Sequence, residues 1–521
     1  MLSCVYSAGI SGIDGFLVTV ECNCSKRISC FEIVGLPDNA IKEAKERVRS
    51  AALNSGYGFP DMEIIVNLAP ADIKKEGSAF DLAILMSLLQ ASGKLGNKED
   101  SRRVDLSDDC FIGELSLSGD IRGVRGALCM AISAKNAGKK RIFVPFENAK
   151  EACVVGGIDV YAVKNVRDVV DFLLGIRELE KSEYNGEGDS DNLSCPDFAD
   201  VKGQAMAKRA VEIAAAGGHN ILLIGPPGTG KSMIAKRIPS ILPEMTFEES
   251  IETTKVHSIS GILPSDVSLI RTRPFRSPHH TMSTPSLVGG GRIPTPGEIS
   301  LANNGVLFLD EFPEFSKSVT EALRQPLEDG AVTITRASGR VRYPCSFMLV
   351  CAMNPCRCGY RGHPTQSCTC SDSEVRKYMS KISGPLLDRI DIQIEVPSLK
   401  YTEISENSKP EESSSEIRKR VNEARRIAQE RFKGEKTDNG CSIFCNAQME
   451  AKHIRKFCVL DDACKRLMER AYDTLGLSAR GHDRILKLAR TIADLAGAES
   501  IGPMHIAEAI QLRTLDKRLT T

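Results

Sequence analysis

The sequence carries no excess of either charge: 68 basic side chains face 68 acidic ones in 521 residues. A neutral chain has no global field to draw a polyanion, so any nucleic-acid surface must be local. No stretch approaches the roughly 18 unbroken apolar residues of a membrane span, and no membrane partner is expected. The opening MLSCVYSAGISGIDG lacks the basic-then-apolar order of a secretion signal, which makes a cytoplasmic location the expectation. Internal repeats and sustained heptads are missing too, so neither a stacked array nor a coiled coil organises the chain. Cysteine, by contrast, is plentiful at 18 residues, scattered singly apart from one cluster. In a reducing compartment most of these read as buried thiols rather than disulfides.

The length exceeds what one core holds, and about two to four domains are expected. Two breaks in composition divide the chain. ELEKSEYNGEGDSDNLSCPD (178 to 197) is polar, acidic and contains Gly and Ser, as suits a linker. SENSKPEESSS (405 to 415) reads as a mobile connector before a charged helical tail. The expected plan is therefore a first domain over 1–176, a linker over 177–197, a second domain over 198–398 and a helical tail over 399–521.

ILLIGPPGTGKSMIAKRI (221 to 238) runs in order as apolar strand, glycine loop and helix start. Its GPPGTGKS, residues Gly225, Pro226, Pro227, Gly228, Thr229, Gly230, Lys231 and Ser232, fits the phosphate-loop pattern in full. The glycines let backbone N–H groups turn inward onto phosphate oxygens, and the helix N-terminus adds its dipole. Lys231 would reach the β- and γ-phosphates of ATP, and Ser232 would ligate Mg²⁺. GVLFLDEF (305 to 312) then ends an apolar strand in two carboxylates: Asp310 to hold the Mg²⁺ shell and Glu311 to deprotonate the attacking water. SFMLVCAMN (346 to 354) brings Asn354 to the end of a further strand, where it can polarise that water.

This order of phosphate loop, Asp-Glu strand and Asn-ended strand resembles the AAA+ ATPases, which implies a parallel-sheet α/β core and a helical lid. LLDRID (386 to 391) matches the place where those proteins carry an arginine finger, so the resemblance assigns Arg389 to a neighbouring subunit's site. Read on its own, Arg389 could equally be a salt bridge to Asp388 or Asp391. LSARGHDRILKLARTIADL (477 to 495) has helical period and looks like the lid helix bearing the sensor-2 arginine, Arg480, with Arg484 one turn later as its rival.

Between Ser232 and Asp310 lie 77 residues, more than a minimal ATPase needs. Within them, residues 267 to 297 hold four arginines, two histidines and no carboxylate; residues 330 to 371 hold five arginines and again no acid. AVTITRASGRVRY (331 to 343) alternates about an Ala-Ser-Gly turn and reads as a hairpin carrying Arg336, Arg340 and Arg342. Arginines segregated from all acids suit a phosphate backbone followed without base readout, although a solvated hairpin would look the same. Both insert positions resemble the helix-2-insert, pre-sensor-1-hairpin clade, which includes magnesium chelatase ATPase subunits and replicative helicases.

The first 176 residues, with EIVGLPDNAIKEAKERVRSAALNSGYGFP (32 to 60) and FIGELSLSGDIRGVRGALCMAISAKNAGKKRIFVP (111 to 145), alternate strand and helix and look like the Lon-protease domain, a ribosomal-S5-domain-2-like α+β fold. Ahead of a chelatase-like ATPase this makes the whole chain resemble the YifB/ComM family, the competence protein M group. Lon-type proteolysis needs a serine nucleophile and a lysine. Here Ala79 and Leu128 stand at those places, with Ser78 one residue early, so a non-proteolytic scaffold is expected. The resemblance implies an ATP-driven, cytoplasmic, hexameric ring that moves on DNA and promotes branch migration during natural transformation. Two rivals stay open: an ATPase remodelling a metal-insertion partner, and a protein-remodelling ring.

NPCRCGYRGHPTQSCTC (354 to 370) leaves directly from Asn354 and holds two Cys-X-Cys pairs, Cys356/Cys358 and Cys368/Cys370. Disulfides are disfavoured by compartment and by Cys-X-Cys geometry. Four thiolates would satisfy tetrahedral Zn²⁺, although wider spacing within a pair is commoner; His363 is a substitute ligand, and a thiol-rich loop is the bland alternative.

Overall fold

The computed structural model describes residues 2–96, 104–186, 196–291, 294–336, 339–399, 411–438 and 443–513. Much of the linker and connector read from composition, and the hairpin turn residues 337 and 338, lie outside these. The chain groups into two compact units, Met1–Asp191 with Phe247–Arg271, and Asn192–Thr246 with Thr272–Thr521.

The first unit is built on an eight-stranded mixed sheet. Its order is Lys181–Ser182, Asp159–Val163, Arg141–Pro145, Asp109–Phe111, Leu2–Ser11, Asp14–Ser25, Glu63–Ala69, Cys30–Val34. Alternation sets which face is buried: Val18, Val20, Cys22 and Cys24 all turn inward along one strand. Against them lie the helix Asn39–Asn54, capped by the Asp38 carboxylate on the Ile41 N–H (2.9 Å), and the helix Asp81–Ala91, buried along its whole length. The segment 247–271 joins this unit through the helix Phe247–Ser260, whose Ser258 hydroxyl donates to buried Glu151 at 2.5 Å. Burial pushes the Glu151 carboxyl up, and the hydroxyl and the Asn148 amide partly offset that. Ala79 and Leu128 are packed in cores, while the Ser78 hydroxyl donates to Glu114 and the Lys75 ammonium to the Pro70 carbonyl.

The second unit holds a five-stranded, wholly parallel sheet in the order Phe275–Arg276, Val306–Leu309, Met348–Met353, Ile221–Ile224, Ile392–Glu395. The three central strands, Val306–Leu309, Met348–Met353 and Ile221–Ile224, are unbroken, fully buried apolar runs because helices cover both faces of such a sheet. Each fully buried Ile, Leu or Val contributes roughly 1.5–3 kcal/mol. Register aligns the carboxyl ends, with Ile224 opposite both Met353 and Glu395. Gly225, Asp310 and Asn354 therefore emerge side by side.

The charged tail is helical, as expected. The helices Ser414–Arg431, Ala451–Phe457, Asp462–Leu475, Ala479–Leu495 and Pro503–Gln511 share one hydrophobic cluster with the sheet. Ser413 and Glu416 close a capping box at the start of this bundle. Buried Asp494 receives Arg431 (2.9 Å), Arg490 (3.0 Å) and Asn446 (2.8 Å), so its charge is fully met.

Candidate active site

At the carboxyl end of the parallel sheet the loop Gly225–Gly230 turns into the helix Lys231–Ile241. Glycine is required at Gly225, where a Cβ would lie 2.2 Å from the Val396 carbonyl oxygen, and at Gly228 and Gly230, whose φ values are +79° and +87°. The Lys231 ammonium is buried and donates to the carbonyls of Gly225 (2.7 Å) and Pro226 (2.8 Å) and to Asn354 Oδ1 (3.3 Å). Burial pulls its pKa below the ordinary lysine value while Asp310 pulls it back up. Ser232 Oγ donates to Asp310 Oδ2 at 2.6 Å, which joins a hydroxyl and a carboxylate oxygen into a pair of hard donors suited to Mg²⁺.

Glu311 follows at φ +52°, a left-handed conformation that a non-glycine residue adopts only under constraint. Its carboxylate meets His280 Nδ1 at 3.4 Å. His280 belongs to the basic segment and packs against His279 in a tilted ring pair, with centroids 4.2 Å apart. The sequence reading missed this contact, because a histidine 31 positions away carries no local sign of its partner. It also missed Gln204, whose amide donates to the carbonyls of Thr229 (3.3 Å) and Pro397 (2.8 Å) and so holds the phosphate loop from behind.

The two Cys-X-Cys pairs come together. The sulfurs of Cys356, Cys358, Cys368 and Cys370 all lie within 4.8 Å of one another, with Cys356 buried and the others half-buried. N–H groups of Tyr360 and Thr369 bring the Cys358 thiol down to about 5. His363 is not in the group; its Nδ1 accepts from the N–H of Thr365 (3.3 Å) and Gln366 (3.1 Å) in its own turn.

The arginines stand elsewhere. Arg389 and Asp391 precede the strand Ile392–Glu395, at the amino end of the sheet. Arg389 is 9 % exposed, donates to the Pro385 carbonyl at 2.5 Å and is ion-paired to Glu328, not to the neighbouring aspartates. Burial lowers its pKa, and Arg324, Arg480 and Arg484 lie near enough to lower it further. Arg484 is held at 3.4 Å by Asp391, whereas Arg480 is exposed. Burial opposes ionisation of Asp391, yet His219 and Arg484 hold its carboxyl well below the usual range.

The hairpin forms as read, Ala331–Arg336 pairing with Gly339–Pro344 in antiparallel register. Arg340 and Arg342 are exposed on it; the Arg336 side chain lies outside the described part of the structure. In the other acid-free stretch, structural duties consume two arginines. Arg273 donates to the carbonyls of Pro243 (2.6 Å) and Asn304 (2.7 Å), and Arg276 forms a two-pronged pair with Glu298 at 2.6 and 2.8 Å. Glu298 lies one residue past the acid-free window, so composition alone overstated the free positive charge there.

Comparison with known proteins brings in relatives along the whole chain. Family models described as "Subunit ChlI of Mg-chelatase", "Magnesium chelatase, subunit ChlI" and "Magnesium chelatase, subunit ChlI C-terminal" match residues 20–148, 197–404 and 411–513. Competence protein ComM of Haemophilus influenzae is 42% identical over 524 residues, covering 99% of this chain and 98% of its own length. Protein YifB of Escherichia coli is 41% identical over 523 residues, with coverage of 99% and 98%. The magnesium-chelatase 38 kDa subunit of Rhodobacter capsulatus is 26% identical over 177 residues, 30% of this chain and 50% of that subunit.

Proposed function

The chain belongs to the ComM and YifB family of magnesium-chelatase-like AAA+ ATPases, and from that premise we propose that it is a DNA motor. It works as a homo-oligomeric, hexameric ring in the cytoplasm and promotes branch migration as incoming DNA is integrated during natural transformation. Domains 1–176, 198–398 and 399–521 act as non-proteolytic scaffold, ATPase core and lid, joined by the linker 177–197. The cofactors are ATP with Mg²⁺, and a structural Zn²⁺ in the four-cysteine loop. The observation that carries the DNA reading is the pair of exposed arginines, Arg340 and Arg342, on a hairpin whose surrounding sequence from 330 to 371 has no acid.

In this mechanism Lys231 leaves the loop carbonyls for the β- and γ-phosphates, and Ser232 and Asp310 hold Mg²⁺, which supplies charge neutralisation when bound. Glu311 takes the proton of the attacking water, and Asn354 orients that water. Arg389 and Arg480 serve the nucleotide of the adjacent copy. Their grouping with Arg484 and Asp391 before the strand Ile392–Glu395 supports this, since the strand's four residues span ~13 Å. Arg336, Arg340 and Arg342 follow phosphates without reading bases, so binding is insensitive to sequence and weakens steeply with salt.

The deciding experiment measures ATP turnover and branch migration with and without forked DNA at low salt. Stimulation that is lost on changing Arg340 and Arg342 to Ala, with basal turnover kept, supports the motor. Turnover indifferent to DNA, with no binding, overturns it and favours the remodelling of a metal-insertion or protein partner.

A further inference from the structure

The four-cysteine loop is packed into the nucleotide site itself. Three contacts, on both sides of the cluster, converge on Asn354 and the phosphate loop. Asn354 lies two residues before buried Cys356, and its side chain accepts from Lys231 at 3.3 Å. Gly359, at φ +87° between the two pairs, sits so close that a Cβ there would be 2.8 Å from Pro227 Cδ and 3.9 Å from Asn354 Cγ. Past the second pair, Ser371 and Glu374 form a capping box on the helix Asp372–Met379, and the buried Tyr378 of that helix lies beside the Asn354 backbone N–H. The loop thus leaves Asn354, touches the phosphate loop at Gly359 and returns to Asn354 through Tyr378.

The geometry of the sulfurs fits one kind of occupant. Tetrahedral thiolate coordination of Zn²⁺ at Zn–S ~2.3 Å places neighbouring sulfurs ~3.8 Å apart. The observed separations are 3.3 Å for Cys356 and Cys358, 3.6 Å for Cys356 and Cys368, and 3.5 Å for Cys358 and Cys368, with Cys370 inside the same 4.8 Å group. Four soft donors and no hard one select Zn²⁺ over Mg²⁺ or Ca²⁺.

We infer that Cys356, Cys358, Cys368 and Cys370 bind one Zn²⁺ ion whose occupancy sets the affinity of the adjacent site for nucleotide, through Gly359 on Pro227 and Tyr378 on Asn354. The inference rests on the reading of residues 225–232 as a nucleotide site and is independent of any role on DNA. Without the ion, the 15-residue span from Cys356 to Cys370 has little apolar content to order it, and Asn354 loses its supports from both directions.

The test uses the full-length protein purified without chelator. Elemental analysis should return one zinc per chain, and the Cys358→Ser/Cys368→Ser variant should lose it and bind a fluorescent ADP with Mg²⁺ about tenfold more weakly. Gly359→Ala should keep zinc and still weaken ADP, because it disturbs the contact and not the ligands. As a check free of mutation, Co²⁺-loaded protein should show thiolate-to-cobalt charge transfer, and its visible d–d bands should shift on adding ADP. Wild-type protein that neither contains zinc nor takes up Co²⁺ overturns the metal site. Zinc present, but with equal ADP affinity in the zinc-free variant and unmoved cobalt bands, overturns the coupling. Failure of wild type to bind ADP while holding zinc condemns the nucleotide reading instead, and Lys231→Ala, which should lose ADP and keep zinc, marks that case.

Discussion

The two ends of the parallel sheet present opposite chemistry. At the carboxyl end are donors and carboxylates arranged around one lysine: Lys231, Ser232, Asp310, Glu311 and Asn354. At the amino end Arg324, Arg480 and Arg484 lie near Arg389, and Arg484 is held by Asp391. Both groups carry residues that the proposed mechanism uses, yet within one chain they stand at opposite ends of the sheet. On the proposed reading the catalytic set is divided between copies, each chain offering the phosphate loop on one side and the arginines on another.

The largest effect should come from the arginine end. Arg389→Ala is expected to cut turnover by about 10³ while leaving ADP binding to the isolated chain unchanged. Mixing it with Glu311→Gln chains should restore part of the activity, since each supplies what the other lacks. Restoration that fails, or an Arg389 or Arg480 variant that loses ADP as a monomer, would break the division. Next, Glu311→Gln should lower turnover by about 10² and keep nucleotide bound, a signature distinct from Lys231→Ala, which should lose both.

A smaller effect is expected on stability. The folded carboxyl of Asp391 lies below its ordinary value, so it stabilises the fold at pH above about 4 and that contribution disappears as pH falls through the folded value. Asp391→Asn should therefore cost about 3 kcal/mol at pH 7, and the gap from wild type should narrow as urea unfolding is repeated toward pH 3. The smallest expected change belongs to His280. It meets the Glu311 carboxylate at 3.4 Å, so His280→Ala should alter kcat a few-fold with KM unchanged, and Gln should restore it. A change in KM alone would place His280 in binding rather than in positioning Glu311.

The carboxyl end was legible in the sequence because Asp310, Glu311 and Asn354 follow an apolar strand's end by one or two residues and Lys231 and Ser232 close the glycine loop that follows another, and strand, loop and helix are local patterns. GPPGTGKS, Asp310, Glu311 and Asn354 needed no knowledge of what lay beside them. The hairpin and the helix Ala479–Leu495 were legible for the same reason. The partners were not: Glu328 for Arg389, Glu298 for Arg276, His280 for Glu311 and Tyr378 for Asn354 are chosen by packing across 61, 22, 31 and 24 positions. Nor did composition show that residues 247–271 pack with the first unit, since Glu151 and Ser258 stand 107 positions apart.

The sequence by itself therefore determined the ATPase chemistry, the α/β class and the cysteine cluster, because spacing along the chain encodes the ends of strands and the turns of loops. Only the tertiary structure decided that four sulfurs meet beside Asn354, and that the arginines stand at the far end of the sheet from the lysine. Those outcomes depend on the register of parallel strands, which aligns one set of ends with one another and keeps the other set a strand's length away.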